Sequence, residues 1–177
     1  MEAVGYEMYL RLLSEAISEE KGEKPEVPEK ECLIDLPINA YIPEEYIRFV
    51  PQRLYMYRRI ADIRTREDYL DVIDELTDRF GDPPECVTGL LKVALLRSCA
   101  TRCGIFEIGK RSSSLLLYID RIDMERAMSL ARSMRGRVAI SSKGKPHLSV
   151  AVKDGEKQLD MLEQIFAYLC GEAPLPS

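Results

Sequence analysis

The stretch DELTDRFGDPPECVTGLL, residues 74–91, decides how the first half of this chain is organised. Gly81 stands where a helix takes a left-handed residue at its C-terminal end, and Pro83 cannot continue a helix. Pro84 suits the first turn of a new helix, because its fixed φ is already helical. The stretch therefore predicts one helix that ends at Phe80 and another that begins at Pro84.

The residues before and after this turn extend the helical pattern. Thr65, with Asp68 three residues later, matches a capping box and predicts a helix start. The segment after Pro84 is apolar on nearly every side, which predicts a buried central helix. Pro43, followed by two glutamates, indicates another helix opening. The predicted long helices of this half cover residues 51–63, 66–80 and 84–103.

The pattern differs at the two ends of the chain. Residues 4–20 read as an amphipathic helix, followed by a polar linker to residue 30 and a short strand over 32–36. After Gly104 the hydrophobic period shortens to that of strands. Strands are predicted at 105–108, 115–119, 137–141 and 147–152, and helices at 123–134 and 156–170. The predicted fold class is α+β: a helical N-terminal half, then a small antiparallel sheet with helices, in the order β-β-α twice.

Composition and charge limit the possible functions. The chain has 177 residues and a net charge of −5, which disfavours nucleic acid as the main partner because duplex binding depends on Lys and Arg. No apolar run approaches the roughly 18 residues of a membrane span, so no membrane partner is predicted. The N-terminus lacks the features of an export signal, which predicts a cytoplasmic location and reduced cysteines. The isolated domain is predicted to be a monomer.

No catalytic pattern is recognisable in the sequence. His147, the one histidine, falls in a predicted strand. Cys99 and Cys103 share a helix face but lack a second pair of ligands for zinc. Residues 104–110 spell GxxxxGK, yet Arg111 stands where a phosphate loop needs Ser or Thr and a strand replaces the required helix. We therefore expect no catalytic residue, no metal site and no cofactor in this segment.

The predicted helix over 66–80 carries acids on the face opposite its apolar side chains. Asp71, Asp74, Glu75 and Asp78 follow one another at i, i+3, i+4 and i+7, and Asp82 lies just past the turn. Such a run forms either a solvated face or a docking surface for a basic partner. The helix-and-turn pattern does not explain Arg79. Two roles are open for its side chain: an ion pair with a neighbouring acid, or contact with a partner.

Three segments resemble the C-terminal domain of bacterial transcription-repair coupling factors, the Mfd family. They are DLPINAYIPEEYI, QRLYMYRRIADIRTREDYLDVIDELTDRFGDPPECVTGLLKVALLR and CGIFEI; VGYEMYLRLLSEA is similar to the segment that joins the motor of these proteins to that domain. The resemblance covers about residues 4–108. The DPP after Gly81 departs from the family pattern, in which a bulky apolar residue often precedes the proline, but the acidic positions are unaffected.

The resemblance implies a function. The parent protein would be an ATP-driven DNA translocase that removes stalled RNA polymerase, with ATP and Mg in a motor outside this segment. Residues 1–30 would be a linker helix and linker from that motor, and 31–177 a non-catalytic, autoinhibitory C-terminal regulatory domain. That domain would dock on the UvrB-like N-terminal module of the same chain, mask the UvrA-binding surface used in nucleotide excision repair, and restrain the translocase.

Carried onto this chain, the resemblance makes the acids the candidate docking residues. Glu75 and Asp78 are the first candidates, followed by Asp71, Asp74, Arg79 and Asp82. The alternative is a nucleic-acid-binding accessory module. It would use the arginines Arg53, Arg58, Arg59, Arg64 and Arg66 as a basic patch, unless these side chains are solvated or paired with the acidic helix.

Overall fold

The computed structural model describes residues 31–120, 123–142 and 144–170. The predicted helix over 4–20 and the linker to residue 30 lie outside the described residues. The helices are α1 (Val50–Ala61), α2 (Arg66–Phe80), α3 (Glu85–Arg102), α4 (Met124–Ser133) and α5 (Gln158–Cys170). The strands are β1 (Leu33–Asp35), β2 (Ile105–Arg111), β3 (Ser114–Ile119), β4 (Val138–Ser141) and β5 (His147–Ala151). This order confirms the α+β class and the β-β-α arrangement of the second half.

The chain divides into two compact units. In the described part, one unit spans residues 37–95, and the other joins residues 31–36 to the described residues from 96 onward. The first unit contains α1, α2 and most of α3. Its buried side chains include Met56, Ile60, Val72, Leu76 and Leu90.

The helix expected to open at Pro43 is one turn long. The backbone N–H groups of Tyr46 and Ile47 both donate to the carbonyl of Pro43 at 3.1 Å. The carbonyl of Ile47 accepts instead from the guanidinium of Arg53 at 3.1 Å, so it is satisfied without a further helical turn. The longer helix starts at Val50.

The start of α2 follows the predicted capping box. Thr65 Oγ1 accepts from the N–H of Asp68 at 3.2 Å, and the carboxylate of Asp68 accepts from the N–H of Thr65 at 2.8 Å. Hydrogen bonds from the N–H groups of Arg64 and Thr65 lower the pKa of the Asp68 carboxyl. Three N–H groups at this helix start, those of Arg64, Thr65 and Asp68, are therefore bonded to side chains.

The second unit is built around a five-stranded sheet in the order β1-β2-β3-β5-β4. The pairs β2–β3 and β4–β5 are antiparallel, as predicted, and β3 pairs with β5 in antiparallel direction, a pairing that the sequence left open. The edge strand β1 pairs with β2 in parallel, with Leu33 opposite Glu107. A long connection through α1, α2 and α3 permits this direction, which a tight hairpin would not.

Buried and partly exposed residues alternate along the central strands, which gives the sheet one buried face. Leu115 and Leu117 of β3 and Leu148 and Val150 of β5 are all buried, and their chain neighbours are not. Helix α4 contacts both α5 and β4. Residues 105–110 form part of β2 rather than a turn into a helix, which confirms that GxxxxGK is not a phosphate loop here.

Candidate protein-docking surface

The turn at Gly81 ends α2 sharply. Its N–H donates to the carbonyl of Thr77 at 3.0 Å, with φ 84° and ψ −175°. The positive φ agrees with the prediction, but the ψ is extended instead of left-handed helical. Only glycine adopts this combination readily, because a Cβ would clash with its own backbone. The turn is thus set by the backbone at this residue.

Tyr46 holds the turn from the first unit's short helical turn. Its hydroxyl donates to the carbonyl of Gly81 at 2.7 Å, and its ring meets that of Phe80 edge-on at 6.1 Å between centroids. Burial raises the pKa of the Tyr46 hydroxyl, and the carboxylate of Asp82 raises it further. Tyr46 was not among the predicted site residues, since nothing in the pattern of residues 43–47 indicates a hydrogen bond across thirty-five positions.

The acids of α2 and its turn differ in exposure. We call Asp71, Asp74, Glu75, Asp78 and Asp82 together the acidic face. Four of its members are exposed, whereas the side chain of Glu75 is only 21% exposed. The four exposed carboxylates are accessible to a partner, and Glu75 is largely covered by its own neighbours.

Glu75 bridges α1 and α2. Its Oε1 lies 2.7 Å from Nη1 of Arg79, and its Oε2 lies 3.2 Å from Nε of Arg59. Burial raises the pKa of the Glu75 carboxyl, but the hydrogen bonds from the two guanidinium groups outweigh it, so the pKa falls below its usual value. The hydrogen bond between Arg59 and Glu75 also raises the pKa of the Arg59 guanidinium. Glu75 is therefore ionised and internally paired.

Arg79 has a defined place. Besides its ion pair with Glu75, its guanidinium lies 5.3 Å from the ring centroid of Tyr55 and 5.1 Å from that of Phe80. The first interpretation of Arg79, pairing with a neighbouring acid, is confirmed. Tyr55 is 45% exposed, so an aromatic ring and a pre-positioned arginine accompany the acidic face. These residue types dominate the energetics of many protein interfaces.

The basic patch is largely occupied by internal acceptors. Arg59 is paired with Glu75, and Arg53 lies 3.2 Å from the carboxylate of Glu44. Arg64 donates to the carbonyl of Ala61 at 2.8 Å. The pairing of Arg59 with the acidic helix is the arrangement expected if the arginines serve the fold and not nucleic acid.

The histidine and the helix cysteine considered as reactive groups both have structural surroundings. His147 lies half-buried at the start of β5, with Nδ1 2.9 Å from the carbonyl oxygen of Lys145. Cys99 is buried on α3, as expected. Among residues 31–120, 123–142 and 144–170, no cluster of three or more His, Cys, Asp or Glu side chains could hold a metal ion. In the same part of the chain, no helix is both long and apolar enough to cross a membrane.

Comparison with known proteins identifies the family. The family model described as the TRCF domain matches residues 36–129, which is more than half of the chain. The chain belongs to the TRCF domain family. The resemblance to transcription-repair coupling factors is therefore confirmed, and all members of the acidic face fall within the matched part of the TRCF domain.

Individual relatives agree with this assignment. The transcription-repair-coupling factor of Bacillus subtilis (strain 168) is 29% identical over 177 residues, 97% of this chain but 15% of that protein. The factor of Staphylococcus aureus (strain USA300) is 36% identical over 122 residues, 67% of this chain and 10% of the relative. The TRCF domain chain thus spans a small part of the length of the curated relatives that it matches.

A solved structure supports the fold of this TRCF domain. The crystal structure of the C-terminal domain of a transcription-repair coupling factor matches with a TM-score of 0.69 at 22% identity. It covers 80% of this chain and 93% of the other chain. The match extends the fold assignment beyond residue 129, where the family model ends.

Proposed function

We propose that this TRCF domain is the non-catalytic, autoinhibitory C-terminal domain of a transcription-repair coupling factor. It docks through the acidic face on the UvrB-like N-terminal module of the same chain. The observation that carries the proposal is the set of exposed carboxylates on α2 and its turn, held on a capped helix with a pre-positioned Arg79 beside them. An acidic surface of this kind fits a basic partner surface.

The members of the acidic face have different roles in this proposal. Asp74 and Asp78, with Asp71 and Asp82 around them, contact the partner because their carboxylates are exposed. Glu75 positions Arg79 from within the first unit. Glu75, which the sequence placed with Asp78 as a first candidate, therefore acts through Arg79 and not by direct contact with the partner.

Docking would control activity by changing the populations of a closed and an open state of the protein. The domain favours a closed state, in which the UvrA-binding surface is masked and the DNA translocase, which uses ATP and Mg, is restrained. A bound RNA polymerase opens the protein when its preference for the open state exceeds the closing free energy. Because both modules belong to one chain, their effective concentration is high and a modest intrinsic affinity is enough.

Charge reversal in the full-length factor tests the proposal. We expect Asp74→Lys with Asp78→Lys to raise both the ATPase rate and UvrA capture. Reversing two exposed interface charges costs about 2 kcal/mol, or roughly 30-fold in the ratio of closed to open protein. Steady-state ATP hydrolysis and pull-down with purified UvrA measure the two effects.

The control carries the same change in net charge elsewhere. Glu45→Lys with Asp154→Lys alters two exposed acids outside the acidic face, and both activities should stay at the wild-type level. If the Asp74 and Asp78 variant also stays at that level, the acidic face does not close the protein.

The nucleic-acid alternative has its own test. Arg58 is an exposed member of the basic patch, so Arg58→Glu changes the patch without breaking the pair of Arg59 with Glu75. Binding of the 177-residue chain to duplex DNA at low salt, lost in Arg58→Glu but kept in Arg132→Glu, would favour the alternative. Equal binding by all three proteins, or none by any, would argue against it.

A further inference from the structure

Two cysteines from distant parts of the chain meet at the ends of two helices. Cys103 follows the last residue of α3, and Cys170 is the last residue of α5. Their Sγ atoms lie 3.0 Å apart, across 67 positions of sequence. Both side chains are half-buried, whereas the neighbouring Cys99 is only 4% exposed. The contact lies within the second unit and has no role in the proposed docking surface.

The pKa values of the two thiols are shifted in opposite directions. The hydrogen bond between the two side chains lowers the pKa of the Cys103 thiol, although burial and the nearby Cys99 both raise it. The same hydrogen bond is the main reason that the pKa of Cys170 rises to about 11. The lowered pKa favours Cys103 as the thiolate, and Cys170, which keeps its proton, is then the donor between the two sulfur atoms.

Two guanidinium groups support a thiolate at this place. The charges of Arg102 on α3 and Arg126 on α4 both lower the pKa of Cys103. Nη2 of Arg102 lies 3.3 Å from Sγ of Cys99, and Nη1 of Arg126 donates to the carbonyl of Leu169 at 3.3 Å. Positive charge next to a partly exposed thiol is the usual setting of a reactive cysteine. This positive charge offsets the effect of the helix dipole, which disfavours an anion at the C-terminal end of α3.

We propose that Cys103 and Cys170 form a peroxide-reactive dithiol site that closes into a disulfide. The thiolate of Cys103 attacks one oxygen of hydrogen peroxide, the O–O bond breaks, and the departing hydroxide takes a proton to become water. The sulfur of Cys170 then attacks the sulfenic acid on Cys103. An S–S bond forms, the S–O bond breaks, and the proton of Cys170 leaves with the hydroxide as a second water.

The electrons and the geometry are both consistent with this step. The two thiols lose two electrons, which reduce one peroxide to two waters, and a small dithiol reduces the disulfide back to two thiols by exchange, becoming a disulfide itself. To reach bonding distance the sulfur atoms must approach by about 1 Å, a small movement for residues at helix ends. The bond would tie the end of α3 to the end of α5 and stabilise the second unit against unfolding.

Oxidation of the wild-type 177-residue chain tests the proposal directly. After removal of reductant, an equimolar addition of hydrogen peroxide should lower the mass by two hydrogen atoms and the thiol count by two from five. Peptide mapping by mass spectrometry should find Cys103 joined to Cys170. The Tm should rise by roughly 5–10 °C and return on addition of dithiothreitol.

Three variants separate this site from general thiol oxidation. Cys86→Ser removes another half-buried cysteine and should behave as wild type. Cys170→Ser should leave a sulfenic acid on Cys103 that dimedone traps, and Cys103→Ser should leave Cys170 unreacted. A disulfide through Cys86 or Cys99, no disulfide at tenfold excess peroxide, or dimedone labelling of Cys86 as fast as that of Cys103 would each overturn the proposal. The mapping of the wild-type chain decides the matter even if a variant fails to fold.

Discussion

At the scale of single residues, Glu75 has an environment unlike that of a solvated helix acid. It contacts guanidinium groups from two helices, and its pKa is held below the usual value in spite of burial. Its neighbour Asp74, one position away, is exposed. Two acids of one sequence pattern therefore have different environments, one internally paired and one exposed at the surface.

The ion pairs of Glu75 predict a pH-dependent stability. Because the folded state lowers this carboxyl's pKa, its contribution is present above the unfolded pKa and is lost as the pH falls through the folded value. We expect Glu75→Gln to lower the free energy of unfolding by about 1 kcal/mol at pH 7. The difference from wild type should vanish below the folded pKa. Urea unfolding at a series of pH values, followed by circular dichroism, measures both.

The control for this prediction is Asp74→Asn, which removes an exposed charge from the same helix. It should leave the stability at pH 7 within about 0.5 kcal/mol of wild type. A Glu75→Gln difference that is the same at pH 7 and in acid would show that packing, and not charge, links α1 to α2 here.

The backbone of Gly81 gives a second residue-scale prediction. Beyond Gly81 itself and its two chain neighbours, a Cβ at this position meets no atom within 4 Å, so any cost of Gly81→Ala comes from the local backbone conformation, with φ 84°. We expect a loss of about 1–3 kcal/mol of stability, measured by urea unfolding. Gly109→Ala, at a strand glycine that also has open space but no positive φ, should change stability little. Equal effects at the two sites would contradict this explanation of the turn.

At the scale of elements, the capping box determines where α2 begins. Removing the Thr65 hydroxyl in Thr65→Ala leaves the N–H of Asp68 without its side-chain acceptor. We expect a loss of about 1 kcal/mol in the free energy of unfolding. Thr77→Ala removes an exposed hydroxyl from the last turn of the same helix, where it donates to the carbonyl of Ile73, and should be neutral or slightly stabilising. A loss in Thr77→Ala as large as that in Thr65→Ala would point to a general effect on α2.

The elements were mostly predictable from the sequence because their signals are local. The capping box, the glycine-proline turn and the change from helical to strand period each lie within a few residues of the element that they define. The segment after Pro43 was predicted to begin a helix, but it forms a single turn. The carbonyl of Ile47 accepts a hydrogen bond from Arg53, six positions later, instead of from the next turn of a helix. The parallel pairing of β1 was missed because the partner strand lies beyond three helices.

At the scale of the whole molecule, the two units carry different proposed tasks. Residues 37–95 hold every member of the acidic face, and the second unit holds the dithiol site. The chain contains no tryptophan, so far-UV circular dichroism suits the unfolding measurements better than intrinsic tryptophan fluorescence does. A second probe of the transition is needed, because two units need not unfold in one step.

By itself, the sequence determined the α+β class, the positions of the main helices and strands, the stop at Gly81 and the acidic face of α2. These features depend on short-range patterns of polarity, capping and backbone freedom, which one chain displays directly. Only the tertiary structure decided that Glu75 is paired while Asp74 and Asp78 stay exposed, that Tyr46 holds the turn, and that Cys103 meets Cys170. The reason is physical: burial, ion pairing and thiol acidity depend on atoms that folding brings together from distant positions in the chain.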